Sequence, residues 1–397
     1  MQPLGITAST VVTALGAGTA APRAALHARR SGLRPSDFPD APGGHWIGAV
    51  PGLDTIRLPE ALAGFDCRNN RLAELALATD GFAGAVAAAR DRHGADRIAV
   101  VLGTSTAGIE ETERAYRRRD ATTGALPDNF DFARTHDLFA LPRYVRARLG
   151  LRGPALGVST ACTSGARTVL EAAILIEAGI VDAVVAGGVD TLCRMTLHGF
   201  SSLELLSSGP CRPCAADRDG ISIGEAAGLL LLERAEVAAP GTAVVLGAGA
   251  SSDGHHMSSP QPDGFGAVTA MRAALDAAGL APDDIGYVNL HGTGTRANDA
   301  MEDRAVAHLF GDRVPCSSTK GWTGHTLGAS GAIEALIAAI CLEDGLVPGC
   351  LGVAAVDPAF RGDVATANRA VELRRVLSNS FGFGGSNCSL VVGRREP

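Results

Sequence analysis

The sequence is nearly devoid of lysine: of its 35 basic residues, 34 are arginine and one is lysine, Lys320. It lacks any long basic block, and 42 acidic residues bring the formal net charge to −7, which excludes nucleic acid as a partner. It lacks a disulfide framework. Nine cysteines, an odd number, are scattered from Cys67 to Cys388 without the spacing of a stapled domain, and this points to a reducing, cytoplasmic setting. No apolar run is long enough to span a membrane, because the longest, residues 169–189, is interrupted by Glu171, Glu177 and Asp182. The N-terminal stretch lacks the positive start of a secretory signal and reads as a first strand and turn. No second CxxC and no HxxxH spacing accompanies Cys211-Arg-Pro-Cys214, so zinc and redox readings fail there, and no glycine run matches the dinucleotide fingerprint.

What is present is globular: 46% of residues are hydrophobic and 19% charged, in a chain long enough for one large domain or two fused units. Short apolar runs at 97–103, 155–160, 182–188, 227–233, 284–291 and 388–393 read as strands. Between them, 71–90, 165–179 and 266–279 read as helices, the last two stopping at a glycine. This alternation predicts an α/β fold with helices on both faces of its sheets. Residues 164–181 also align without gaps on residues 330–347, with ten of eighteen positions identical. The matched Ser-Gly-Ala start, the Glu and the Gly stop favour duplication over shared alanine content, which predicts two related halves, 1–240 and 241–397.

Three residues stand where such folds place chemistry. Cys162 lies between the strand-like 155–160 and the start of a helix, where unpaired N–H groups favour a thiolate and can serve an oxyanion. His291 ends a strand and is followed by Gly-Thr-Gly-Thr. His325 precedes the second copy of the repeated helix. Each histidine alone reads as structural, and the combination of one cysteine and two histidines in glycine-rich loops is what points to a site. The pair His255-His256 reads as ambiguous, with pocket lining as one option.

The ordered motifs Ser159-Thr-Ala-Cys-Thr-Ser-Gly165, His291-Gly-Thr-Gly-Thr295, Lys320-Gly-Trp-Thr-Gly-His325 and Asn379-Ser-Phe-Gly-Phe-Gly-Gly-Ser-Asn387 closely resemble those of the elongating β-ketoacyl-acyl-carrier-protein synthases. The resemblance implies a thiolase fold, a duplicated βαβαβαββ unit in five α-β-α-β-α layers. It implies decarboxylative condensation of malonyl carrier protein with an acyl group held as a thioester on Cys162, with His291 and His325 donating to the malonyl thioester oxygen. Lys320 would sit near His325 and Cys162, with Glu302 as its acidic partner and Glu334 as the buried glutamate behind the site. Thr293 and Thr295 would hold the phosphopantetheine arm, Phe383 would gate Cys162 and complete an oxyanion hole with it, and Thr106 and Phe200 would line the acyl tunnel. No metal or resident cofactor is implied, since substrates arrive on carrier-protein phosphopantetheine. The partners implied are an acyl carrier protein and a second subunit, either a copy of the chain or a related chain-length factor as in aryl-polyene and type II polyketide systems. A non-catalytic partner role is opposed by the intact Cys/His/His set, and a thiolase reading by Cys388, which lies outside the Gly-Phe-Gly-Gly loop. The sequence departs from the family in a shorter N-terminal strand and in Gly-Glu-Ala-Ala-Gly at 224–228.

Overall fold

Five of the six apolar runs become strands buried on both faces, the environment expected of a sheet held between helical layers, and the sixth, Ala155–Val158, lies at the sheet edge with Leu156 exposed. The computed structural model describes residues 1–396. Its first half runs β1 (Leu4–Thr13), α1 (Arg68–Leu77), α2 (Phe82–His93), β2 (Ile98–Gly103), α3 (Ile109–Arg117), α4 (Ala140–Arg148), β3 (Ala155–Val158), α5 (Ser164–Glu177), β4 (Ala183–Asp190), α6 (Arg194–Ser202) and β5 (Ala226–Arg234). The second runs β6 (Ala243–Ser252), α7 (Phe265–Ala278), β7 (Tyr287–Asn289), α8 (Arg296–Phe310), β8 (Pro315–Ser317), α9 (Ser330–Asp344), β9 (Arg375–Gly382) and β10 (Ser386–Arg394).

The two halves have one topology. Strands lie in the order β3-β2-β4-β5-β1 in the first and β8-β7-β9-β10-β6 in the second. In each, the first three are parallel and the last two antiparallel to their neighbours. This is the expected βαβαβαββ unit, present twice. The sheets join where Leu4 and Gly5 of β1 pair with Val245 and Val244 of β6, so β1 is an interior strand.

Helices α5 and α9, the two copies of the sequence repeat, pack between the sheets and against each other. Their crossing is built from equivalent residues. A Cβ on Gly165 would lie 2.9 Å from the Ala332 nitrogen, and one on Gly331 would lie 2.6 Å from the Ala166 Cβ. Helix α9 is apolar all round and buried from Ser330 to Leu342, as a helix in a middle layer must be. Each Leu or Ile it buries contributes about 1.5–3 kcal/mol. Helices α1, α2 and α4 cover the outer face of the first sheet through Leu72, Val86 and Tyr144, and α7 and α8 cover the second through Met271 and Phe310. Five layers result.

One helix differs from expectation. The stretch 71–90 is two helices, α1 and α2, bent by 72°. Asp80 and Gly81 both take left-handed φ values, 52° and 70°, ending the first and starting the second. Both residue types tolerate that region, and the Asp-Gly pair marks the turn. Among the described residues no single helix is long and apolar enough to cross a membrane.

Candidate active site

The turn after β3 presents Cys162. Ala161 adopts φ 52°, unusual for a residue with a Cβ, and Ser164 ties the turn by donating to the Ala161 carbonyl at 2.6 Å and accepting from the Thr160 N–H at 2.9 Å. The Thr163 hydroxyl meets that of Ser386 at 2.9 Å, anchoring the turn to the other half. Gly382, closing β9, lies against the Cys162 amide, where an added Cβ would be 3.2 Å from its nitrogen. The Phe383 N–H that follows points at the Cys162 sulfur.

Two imidazoles face that sulfur. His325 Nε2 lies 3.0 Å from Cys162 Sγ. Its Nδ1 takes the Leu327 N–H at 3.2 Å and contacts the Ser330 hydroxyl at 2.9 Å. A main-chain N–H can only donate, so Nδ1 is an acceptor and the ring proton is on Nε2, toward the sulfur. Lys320 Nζ lies 3.3 Å from His291 Nδ1, and an ammonium also can only donate, so His291 too carries its proton on Nε2. The two rings meet edge to face, with centroids 5.2 Å apart.

Lys320 is nearly fully buried, and each of its three donors has an acceptor: His291 Nδ1, the His291 carbonyl at 2.5 Å, and the Glu334 carboxylate. The ammonium is close enough to act on both Cys162 and His325, as expected, while its ring hydrogen bond goes to His291. One expectation is corrected: its acidic partner is Glu334, not Glu302. Glu302 instead accepts the backbone N–H groups of His291 and Gly292, each at 2.7 Å, and the Asn379 amide at 3.2 Å. Its place on α8 puts it behind the 291–292 turn, whereas the middle-layer helix α9 brings Glu334 to the ammonium.

The electrostatics correct a second expectation. Burial pushes the Cys162 thiol up to about 11, against the opposing pull of Lys320 and the Phe383 N–H. Desolvation outweighs the helix start, so Cys162 rests as a thiol. Burial first, then the Lys320 ammonium, holds both histidines well below their ordinary value, with His325 also lowering His291. Both are neutral at pH 7. Burial pushes Glu302 and Glu334 up to about 7.

A cavity of about 420 Å³ leads to this cluster, lined by Cys162, His291, His325, Thr293, Thr295 and Phe383 among others. The Thr293 and Thr295 hydroxyls are 2.9 Å apart on its wall. A second cavity, about 290 Å³, shares Cys162, Phe200 and Phe383 with the first and is lined further by Ser105, Thr106, Ser159 and Thr196. Phe200 and Phe383 pack at 5.7 Å between ring centroids. Thr106 is on the wall, but its hydroxyl is committed to Asp190 at 2.7 Å. The histidine pair 255–256 is not on the wall: the His256 ring accepts from the Ser258 and Ser259 amides, and those two serines line the first cavity.

Sequence reasoning missed Asp190, Ser330, Ser318 and Cys211. Cys211 donates to the Lys320 carbonyl at 3.2 Å and Ser318 to the Gly292 carbonyl at 2.6 Å, each fixing the backbone under a site residue. Only the position of Ser330, five residues after His325 at a helix start, was a usable signal.

Sγ and one nitrogen from each histidine lie within 4.8 Å of one another, the separation of a three-ligand metal site. A metal would need a lone pair on each Nε2. The donors on both Nδ1 atoms put protons there instead, so this set fits an anionic oxygen and not a cation.

Family models match most of the chain: "Beta-ketoacyl synthase, N-terminal domain" over residues 71–238 and "Beta-ketoacyl synthase, C-terminal domain" over 242–354. The chain is 39% identical over 312 residues to a 3-oxoacyl-[acyl-carrier-protein] synthase 2 of Rhizobium meliloti, covering 74% of this chain and 73% of that one. It is 36% identical over 318 residues to the synthase 2 of Staphylococcus aureus, covering 76% of each. Among solved structures, a ketosynthase in complex with its chain length factor from Xenorhabdus doucetiae superposes with a TM-score of 0.90 at 38% identity, over 99% of this chain and 98% of that one.

Proposed function

Because the chain belongs to the beta-ketoacyl synthase family, we propose that it is a 3-oxoacyl-acyl-carrier-protein synthase working by transfer of the acyl group through Cys162. The observation that carries this reading is the pair of neutral imidazoles whose Nε2–H groups face the Cys162 sulfur.

The cycle has two halves. An acyl carrier-protein thioester enters the first cavity along Thr293 and Thr295, and Cys162 attacks its carbonyl. The tetrahedral oxyanion takes the N–H groups of Cys162 and Phe383. Collapse expels the phosphopantetheine thiolate, which receives the proton that Cys162 loses, so one thioester replaces another. The acyl chain occupies the second cavity beside Phe200 and Thr106. Malonyl carrier protein then enters. Its carbon–carboxylate bond breaks, carbon dioxide leaves, and the electron pair becomes an enolate whose oxygen takes hydrogen bonds from His291 and His325. The enolate carbon attacks the acyl-Cys162 carbonyl, forming the new carbon–carbon bond and releasing the Cys162 thiolate, which takes up one proton from solvent. Two donors on one oxygen each supply about 2–4 kcal/mol toward such a charge. Thiolate serves as both nucleophile and leaving group, which serine does poorly.

The chain divides at 240/241 into a half carrying the nucleophile and a half carrying the two histidines, a boundary supported by the short link between β5 and β6. Cytoplasm is the compartment this reading takes, in keeping with nine free, buried cysteines.

A second reading, that the chain is the ketosynthase subunit of a polyene- or polyketide-type system with a chain-length-factor partner, is favoured by its likeness to the Xenorhabdus doucetiae ketosynthase and to an ishigamide ketosynthase/chain length factor, the latter at 28% identity and TM-score 0.88. Reconstitution with acyl and malonyl carrier proteins tests both. Condensation by the chain alone, unchanged by added partners, supports the first; condensation only with a partner, or products whose length follows the partner, supports the second. No carbon–carbon bond formation under either condition overturns the function.

A further inference from the structure

The turn that carries Cys162 exists twice. Residues 160–164 and 326–330 are 166 positions apart, start with Thr and end with Ser in both copies, and share the N–H to carbonyl bonds Thr163 to Thr160 and Ala329 to Thr326. Ala161 and its counterpart Leu327 have the same left-handed φ, 52°. Cys162 therefore corresponds to Gly328. The eight-residue strands β4 and β9, which close against these turns, correspond as well, so Asp190 at the end of β4 matches Gly382 at the end of β9.

The two copies differ at that last position. Gly382 has no side chain, which leaves the Cys162 N–H free for a substrate oxygen. Asp190 puts a carboxylate oxygen 2.5 Å from the Gly328 N–H, so the second copy of the oxyanion site is filled by the protein itself. The same carboxylate accepts from the Thr104 hydroxyl at 2.8 Å, the Ser105 N–H at 2.8 Å, and the Thr106 N–H and hydroxyl at 2.8 and 2.7 Å. It is fully buried, and an added Cβ on Gly328 would lie 2.7 Å from it. Next to Gly328 is Leu327, whose N–H occupies His325 Nδ1.

We propose that Asp190 is a positioning residue for the condensation: by holding the Gly328 N–H in the duplicate oxyanion site, it fixes the strained Leu327 so that its N–H keeps the His325 proton on Nε2, and it ties this to the Ser105–Thr106 wall of the second cavity. This rests on the reading of His325 as a donor to the malonyl thioester oxygen. Asp190 touches neither substrate nor the reacting atoms. Its loss frees the 326–329 turn, lets His325 populate the other tautomer, and lowers the rate of the enolate step without weakening malonyl carrier-protein binding.

The test is histidine-labelled ¹⁵N spectroscopy of the full chain together with malonyl decarboxylation kinetics. For the unmodified protein at pH 7, the His325 nitrogens, assigned by comparison with His325→Gln, should report a neutral ring protonated at Nε2. A ring protonated at Nδ1 overturns the proposal whether or not any Asp190 variant folds. In Asp190→Asn, whose folding is checked by circular dichroism, the resonances should shift toward a tautomer mixture. Decarboxylation kcat should fall about 10- to 100-fold with KM within about twofold, the scale seen when a hydrogen-bonding group behind a site residue is lost elsewhere. An unchanged tautomer and unchanged kcat in that variant overturn the proposal. If His325→Gln itself decarboxylates normally, the failure lies instead in the reading of His325.

Discussion

Lys320 and His291 are joined twice: the ammonium lies 3.3 Å from the ring Nδ1 and 2.5 Å from the carbonyl of the same residue. With Glu334 taking the third N–H, the lysine is saturated inside a fully buried pocket. The one lysine in the sequence thus sits where a compact tripod of donors is required. A guanidinium is planar and wider, and its fork cannot meet a ring nitrogen, a carbonyl and a carboxylate arranged around one point.

Lys320→Arg should therefore lower malonyl decarboxylation and condensation by about 100-fold or more, on the scale of losing one preorganised donor to the enolate. Steady-state rates with malonyl carrier protein check this. Near-normal activity would show that any cation suffices at that position.

In the proposed cycle, substituting either imidazole removes one of the two hydrogen bonds to the enolate oxygen. His291→Ala and His325→Ala should each cost about 10²–10³-fold in malonyl decarboxylation. Cys162→Gln should retain or increase it while abolishing condensation, because the enolate then has no acyl acceptor. Trapped carbon dioxide measures the first step and chain-extended product the second.

The assignment of Glu334, and not Glu302, to Lys320 is separable by stability. Glu334→Gln leaves a buried ammonium without its counter-charge and should cost about 3–5 kcal/mol. Glu302→Gln keeps an oxygen for one of the two backbone N–H groups and should cost about 1–3 kcal/mol. Denaturant unfolding at pH 7 ranks them, and the reverse order would contradict the assignment.

His325 makes stability depend on pH with a definite sign. Its folded value lies well below the ordinary histidine value of about 6.5 because burial and Lys320 oppose its protonation, so the unfolded chain binds a proton below about 6.5 that the folded chain refuses. Its contribution is complete above that pH and is lost as pH falls. Glu302 and Glu334, raised to about 7, act in the opposite sense, losing stability as pH rises through that value, so the comparison must be made against a variant. The melting-temperature advantage of the unmodified protein over His325→Gln should shrink from pH 7 to pH 5. A constant difference would show that the ring protonates as freely folded as unfolded.

Much of this was legible beforehand for physical reasons. The repeat at 164–181 and 330–347 announced the two middle-layer helices because the faces they bury keep the same small residues, Gly165, Ala166, Ala172 and Ala173 in one and Gly331, Ala332, Ala338 and Ala339 in the other. Cys162, His291 and His325 stood at strand ends and helix starts, where local sequence already marks the geometry. The partner of Lys320 was not legible, since Glu302 and Glu334 both lie within 20 residues of it and only the layer each helix joins decides between them. The ionisation of Cys162 was misread because burial, set by packing of both halves, outweighed the local helix start. Asp190 was invisible for the same reason: its partners at 104–106 and 328 come from two different loops.

The most direct test of the account is the intact mass of the protein after incubation with an acyl carrier-protein thioester, followed by addition of malonyl carrier protein. The account predicts one acyl group on Cys162, discharged as a two-carbon-longer 3-oxoacyl product when malonyl carrier protein is added, and neither adduct nor product from Cys162→Ala. Condensation by Cys162→Ala, or an acyl group mapped to any other residue, would contradict it.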